Sequence, residues 1–285
     1  MPRTVPEAAA ELTEQAAAKA AAATGPAGYL KSSVLAGVYV GIAVVLLVSV
    51  SAPLAAAGSP VTRLVQGAVF GLALTLVVFA GAELFTGNVM VMAHGISRRS
   101  AGWRSAGTVG ALSLVGNAIG SLALAGAVHL SGVLSAGPGP SGSSPAVALL
   151  DSMVDGKTAA TGPQLFWRAV LCNALVCLAV WMATRAATDG AKLMVLWWGL
   201  LAFIGSGFEH SIANMTTFSL AALEGVAGWA DLAGNLVWTI PGNVVGGLLV
   251  AAAYAGRAGR VSGNPALLPP GAVREAAVPG PRQAA

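Results

Sequence analysis

The chain has 285 residues, 56% of them apolar and only 9% charged, with a formal charge of +4. A soluble domain carries roughly 25% charged residues, so this composition cannot cover a water-facing surface, and the soluble classes of enzyme and binding module are excluded. No basic and aromatic patch of the kind that grips nucleic acid is present.

Apolar runs of about 20 residues, enough to cross a hydrocarbon core of about 30 Å, recur along the chain, and only helices or closed barrels satisfy their backbone in lipid. The runs are continuous rather than alternating, so they read as helices. Residues 1–28 come first, an alanine-rich run with Arg3, Glu7, Glu11, Glu14 and Lys19 that suits a polar-faced cytoplasmic helix and lacks a signal-peptide pattern. A transmembrane domain over 29–258 follows, with six spans predicted at 30–53, 64–92, 108–133, 165–188, 193–223 and 233–256. The Gly-, Ser- and Pro-dense stretch 135–145 reads as a flexible outer loop, and 259–285 as a disordered cytoplasmic tail.

Short loops rich in Lys and Arg stay cytoplasmic. Most of the basic residues, Arg3, Lys19, Arg98, Arg99, Arg104, Arg185 and Lys192 among them, fall on one side, and Arg63, Lys157 and Arg168 on the other. Both termini are therefore expected inside a bacterial-type inner membrane, with Lys157 in an outer loop. Cys172 and Cys177 share one predicted helix with their side chains about 140° apart, so they cannot bridge locally and read as structural thiols. No metal-ligand cluster, catalytic constellation or cofactor motif is evident.

An internal repeat organises the spans. Gly81, Glu83, Asn88, Gly116, Asn117 and Gly120 are matched by Gly207, Glu209, Asn214, Gly242, Asn243 and Gly246, each pair 126 positions apart. Two halves of three spans each must run in opposite directions, and inverted repeats place the substrate path at the interface between halves, beside interrupted helices. The second and fifth spans, too long for one crossing, carry polar interruptions at Glu83 and Asn88 and at Gly207, Glu209, His210 and Asn214. Each is expected to be two half-helices whose N-termini face an anion.

Ionisable groups at the bilayer centre cost at least about 2.5–3.5 kcal/mol each on insertion scales, so Glu83, Glu209 and His210 need a reason to be there. For the glutamates two readings compete: each pins its own helix break, with Asn88 and Gly207 as further parts of that framework, by accepting freed backbone N–H groups, or each carries protons. His210 breaks the repeat, because its partner is Leu84. An imidazole can donate, accept or carry charge near neutral pH, as a site for a weak-acid anion requires, while the bland alternative is a buried neutral histidine. His94 and His129 take the bland reading. The Gly-Asn-x-x-Gly segments fit close helix packing, and Asn117, Asn243 and Asn173 either line the path or bond between helices.

The segments Ala82-Glu83-Leu84-Phe85-Thr86-Gly87, Ala169-Val170-Leu171-Cys172-Asn173 with its continuation to Met182, and Gly207-Phe208-Glu209-His210-Ser211-Ile212-Ala213-Asn214-Met215 resemble the three signature segments of the formate/nitrite transporter family. The resemblance covers 30–257, and Asn214-Met215-Thr216-Thr217-Phe218 is more similar to its nitrite branch than to its formate branch. It implies an all-α, aquaporin-like protomer in a homopentamer, each subunit with its own pore, and a loop within span two that shapes the inner mouth. It further implies an outer constriction at Phe70 and Phe203, an inner one at Leu74, Thr86 facing His210 between them, and Lys157 and Asn173 as polar helpers. A solvated loop lysine is the plain reading of Lys157.

The expected function is transport of a small monovalent weak-acid anion, nitrite first, with formate or hydrosulfide as alternatives; His210, helped by Thr86, is expected to protonate or hydrogen-bond the anion between the two constrictions, with Asn173, Lys157, Glu209 and Asn214 as further pore residues. Its partners are that anion, the bilayer and further copies of the chain. Rival classes fare worse: Asn-Pro-Ala boxes of a neutral-solute aquaporin are absent, and Ser206 and His210 sit on one segment, unlike the serine and histidine of an intramembrane protease. A membrane sensor would need a sizeable soluble domain.

Overall fold

The computed structural model describes residues 1–137 and 143–255; the tail over 259–285 and the middle of the expected outer loop lie outside the described residues. Among the described residues every regular element is a helix: α1 Val5–Ala22, α2 Pro26–Ala56, α3 Thr62–Phe70, α4 Leu72–Phe79, α5 Phe85–Ser97, α6 Trp103–Ser131, α7 Pro145–Thr158, α8 Gly162–Arg185, α9 Asp189–Gly205, α10 Ser211–Leu223 and α11 Trp229–Ala255. Five stretches are long and apolar enough to span a membrane: Pro26–Ala56, Thr62–Phe79, Trp103–Ser131, Gly162–Arg185 and Trp229–Ala255. The predicted runs 64–92 and 193–223 are not single helices. Helical structure lapses between Phe79 and Phe85 in the first and between Gly205 and Ser211 in the second.

Two glycine-mediated helix pairs form the frame. On α6, a Cβ at Gly116 would overlap Ser33 and one at Gly120 would overlap the Val34 carbonyl of α2. On α11, a Cβ at Gly242 would crowd the Phe166 carbonyl and one at Gly246 would overlap the Val170 carbonyl of α8. Small residues four apart let two backbones touch, which is how such pairs associate where lipid removes any hydrophobic drive between helices. The largest buried cluster, with Phe70, Phe203, Ile212, Met215 and Phe218, lies between these pairs and the interrupted helices.

Two elements depart from expectation. The first is α1, which is not simply polar-faced: it buries Ala8, Ala9, Leu12 and Ala16 in a second cluster with Met90, Met92 and Trp181. Its small side chains allow close approach, and a Cβ on Gly95 of α5 would overlap that of Ala16. His94, at the end of α5, is fastened to this helix through the Ala9 carbonyl (2.9 Å) and Thr13 (3.3 Å), in keeping with the bland reading. The second is α7, a helix where only loop was expected. Ser144 caps it by accepting the Val147 N–H (3.1 Å), and Val147, Leu150 and Val154 form its buried stripe. The run was missed because 14 residues with two aspartates and a lysine look like a polar connection when only membrane-length apolar runs are sought.

Candidate functional site

The site begins at the two lapses in helix. Gly81 and Gly207, at φ +75° and +72°, turn the chain out of α4 and α9 in the left-handed region that glycine alone enters at little cost. In the first lapse, Asn117 Oδ1 accepts the Phe85 N–H (2.9 Å), while its Nδ2 donates to the carbonyls of Glu83 (2.9 Å) and Ser33 (2.7 Å). Asn243 repeats the pattern in the second: it accepts the Ser211 N–H (2.9 Å) and donates to the carbonyls of Glu209 (3.0 Å) and Ala169 (2.8 Å). This answers the open question over these two asparagines, which bond between helices, and it corrects the expectation that Glu83 and Glu209 catch the freed N–H groups. A primary amide offers donors and an acceptor together and so serves both backbone groups of a break, whereas a carboxylate can only accept.

The carboxylates instead gather cations and amides. Glu83 accepts from Lys19 (2.6 Å), the Tyr29 hydroxyl (2.7 Å) and Asn88 (3.0 Å), tying α1 and α2 to the break. Glu209 accepts from Lys157 (2.8 Å) and Asn214 (2.7 Å), and Asn214 also donates to Asn235 of α11 (2.8 Å). Lys157 is therefore not a solvated loop residue: it sits near the end of α7 with its side chain 16% exposed, paired with a carboxylate that is 3% exposed. Neither Lys19 nor Tyr29 was singled out from sequence, since nothing local ties residues 19 and 29 to residue 83.

His210 is the N-cap of α10, and Thr86 lies in the first turn of α5. Their side chains meet at 3.1 Å between Oγ1 and Nε2, so the two helix N-termini, each the positive end of its peptide dipoles, are brought together at one point. The ring's other nitrogen, Nδ1, accepts the Ala213 N–H (3.1 Å). That bond leaves the ring proton of a neutral imidazole on Nε2, where it faces Thr86. Asn173 donates to the carbonyls of Thr86 (3.2 Å) and Asn243 (2.5 Å), so it positions the threonine's backbone rather than His210 itself.

Apolar side chains enclose the His210 ring. Phe203 lies nearly parallel to the His210 ring, 22° between planes and 5.8 Å between centroids, and Phe70 meets Phe203 edge-on at 5.7 Å. These rings, with Leu74, Leu84, Val176 and Leu200, bound a cavity of about 10 Å³ at His210, room for about one water. Leu74 and Leu84 also line a vestibule of about 620 Å³ that opens beside α1, so the two spaces adjoin across those leucines. Arg3, Lys19 and Lys192 line that vestibule together with Glu11 and Glu83, and so does the segment Gly81-Ala82-Glu83.

His210, which lines the cavity, and the Thr86 and Asn173 behind it all depart from the repeated pattern. Thr86 has Ile212 at the matching position and His210 has Leu84. The contacts of Asn117 with Ser33 and of Asn243 with Ala169, and of Gly120 with Val34 and of Gly246 with Val170, equate Gly37 with Asn173. Both the His210 and the Thr86 mismatches lie at the 126-residue offset and are readable in sequence, although only the first was noted; the equivalence of Gly37 and Asn173 follows a different offset and needs the packing to expose it.

The formate/nitrite transporter family model matches residues 6–256. The nitrite transporter NirC of Escherichia coli (strain K12) is 40% identical over 229 residues, 79% of this chain and 81% of that protein. Among solved structures, an FNT family ion channel superposes with a TM-score of 0.78 at 36% identity, covering 87% of this chain and 97% of that one. A pentameric formate channel with formate bound gives 0.67 at 25% identity, covering 81% and 96%. This chain belongs to the formate/nitrite transporter family, whose members are membrane transporters and channels and not enzymes.

Proposed function

We propose that the chain carries nitrite across the inner membrane through a pore in each protomer. The observation that carries this reading is His210, bonded to Thr86 at the meeting of two helix N-termini and lining a cavity bounded by Phe70, Phe203 and Leu74. The NirC relative supports nitrite over other small anions, and the pentameric formate channel supports a homopentamer, with formate as the second substrate. The frame of this reading is six spans in two inverted triplets, in which the α4–α5 and α9–α10 lapses are broken second and fifth spans and both termini are cytoplasmic. The paired Asn117 and Asn243 networks support the repeat.

An anion entering the vestibule beside α1 meets Arg3, Lys19 and Lys192, each already paired with the carboxylate of Glu11, Glu83 or Asp189, so the lining offers it cationic groups without a net positive field. At Leu74 it must leave water, and a bare charge in so small an apolar cell is costly. His210 offsets that cost by turning its Nε2–H from Thr86 to the anion, which frees the Thr86 hydroxyl to act as a second donor. Of the two roles expected of the ring, the bond from Ala213 to Nδ1 favours hydrogen-bonding over proton transfer, because a second ring proton would cost that bond. The passing species crosses the Phe70 and Phe203 slit as the hydrogen-bonded anion or, having taken a proton from water on the entry side, as its neutral acid, and through this second route flux rises as pH falls on that side.

Uptake of nitrite into proteoliposomes across a pH gradient tests this. His210→Leu, which installs the residue of the other half, is expected to abolish uptake, and His210→Asn, which keeps an N–H donor, to retain part of it. A His210→Leu protein that moves nitrite at the wild-type rate with the wild-type pH dependence would falsify the role.

A further inference from the structure

An apolar groove of about 710 Å³ runs between α5, α6 and α11, away from the enclosed cell. Phe85, Val89 and Val244 line its deep end, and Trp103, Ile96 and Ala255 its mouth. Along α11 from Val244 to Ala255 it extends about 16 Å at 1.5 Å per residue, which is half of a hydrocarbon core of about 30 Å. The groove therefore has the length of one leaflet. Of the polar residues that reach it, Asn88 has its amide committed to Glu83 and Tyr29.

The mouth is basic. Arg98 donates to the Ala255 carbonyl at 3.0 Å, which brings the turn after α5 to the end of α11. Arg99 and Arg104, both exposed, are the chain neighbours of Arg98 and of Trp103, and Trp103 lines the groove while 79% exposed. Neither α5 nor α6 contains an Asp or Glu, and among the described residues Arg99 and Arg104 form no ion pair. Tryptophan and arginine at the end of a membrane helix mark the headgroup layer.

We propose that this groove holds an acyl chain of an anionic phospholipid, with the lipid phosphate bound by Arg99 and Arg104. The charged mouth selects a lipid over a second copy of the chain. A protein face seated here would have to bring carboxylates to the arginines, whereas a phosphate in the headgroup layer is already at that depth. Basic clusters next to membrane helices bind anionic headgroups for this reason. The proposal rests on the shape and charge of this face and does not depend on which anion is transported.

Native mass spectrometry of the full-length protein, after addition of phosphatidylglycerol or phosphatidylcholine with identical acyl chains, tests it. Wild type is expected to retain phosphatidylglycerol roughly tenfold better, each arginine near the surface adding to the attraction. Arg99→Gln with Arg104→Gln should remove that preference without changing the elution profile. Ala252→Trp, placed on an exposed position that lines the groove, should lower retention of both lipids. Equal retention of the two lipids by wild type, or a preference that survives loss of both arginines, overturns the proposal. So does an Ala252→Trp protein that loses its oligomeric state while binding the same lipid, which would give the groove to a second copy.

Discussion

Replacing Asn243 with alanine tests whether the interior amides hold the helix breaks. The side chain makes three hydrogen bonds, accepting from Ser211 and donating to Glu209 and Ala169, and all of them are inside the protein. Side-chain hydrogen bonds in membrane proteins are worth about 0.6 kcal/mol on average and up to about 1.7, so three sum to roughly 2–5 kcal/mol. For a chain of this size that range lowers a melting temperature by about 4–20 °C, at roughly 2–4 °C per kcal/mol. The Asn117 network contains the same three kinds of bond at nearly the same distances, from Phe85 and to Glu83 and Ser33, so Asn117→Ala should lower it equally. Thermal unfolding of the detergent-purified protein, followed by tryptophan fluorescence, measures both. If either variant melts within a degree of wild type, or one falls by several times the other, the matched networks do not hold the two breaks.

Lys157→Met leaves the carboxylate of Glu209 buried without its cation, a change that costs about 3–5 kcal/mol. The double variant Lys157→Met with Glu209→Gln removes the stranded charge and should melt above the single variant; additive losses would show that the pair is not coupled. At the other end of the chain, hydrogen bonds from the Thr4 backbone N–H and hydroxyl hold the Glu7 carboxyl below its usual range. A depressed carboxyl stabilises the fold above its unfolded pKa, and the contribution is lost as pH falls through its folded pKa. Protection of the first-turn amides of α1, taken relative to unfolded peptide at the same pH, should therefore fall below about pH 4, and Glu7→Gln should remove that dependence while leaving the rest of the helix unchanged.

Much of the site was legible because its chemistry is expensive in lipid. A glutamate or histidine inside an apolar run must be there for a reason, and that alone picked out Glu83, Glu209 and His210 before any geometry was known. Their partners were not legible. Glu83 is served by Lys19 and Tyr29, 64 and 54 positions away, and Glu209 by Lys157, 52 away. No local spacing encodes such pairs. The assignment of the freed N–H groups to the carboxylates failed for a related reason: the sequence shows which polar residues stand near a break, not that the Asn of a neighbouring Gly-Asn-x-x-Gly helix reaches it first.

Composition and hydropathy alone dictated a helical membrane protein, because continuous apolar runs of that length have no other way to satisfy their backbone. The 126-residue spacing alone pointed to two related halves, since it needs only the order of residues. The tertiary structure decided which asparagines secure the breaks, that α7 carries Lys157 to Glu209, and that α1 is packed onto α5 by its alanines. It also decided which nitrogen of His210 bears the proton, through a bond from Ala213 that no pattern of residue types reveals. Hydrophobicity and periodicity are properties of the chain read locally, while hydrogen-bond partners and proton positions depend on distances that exist only after the helices have packed.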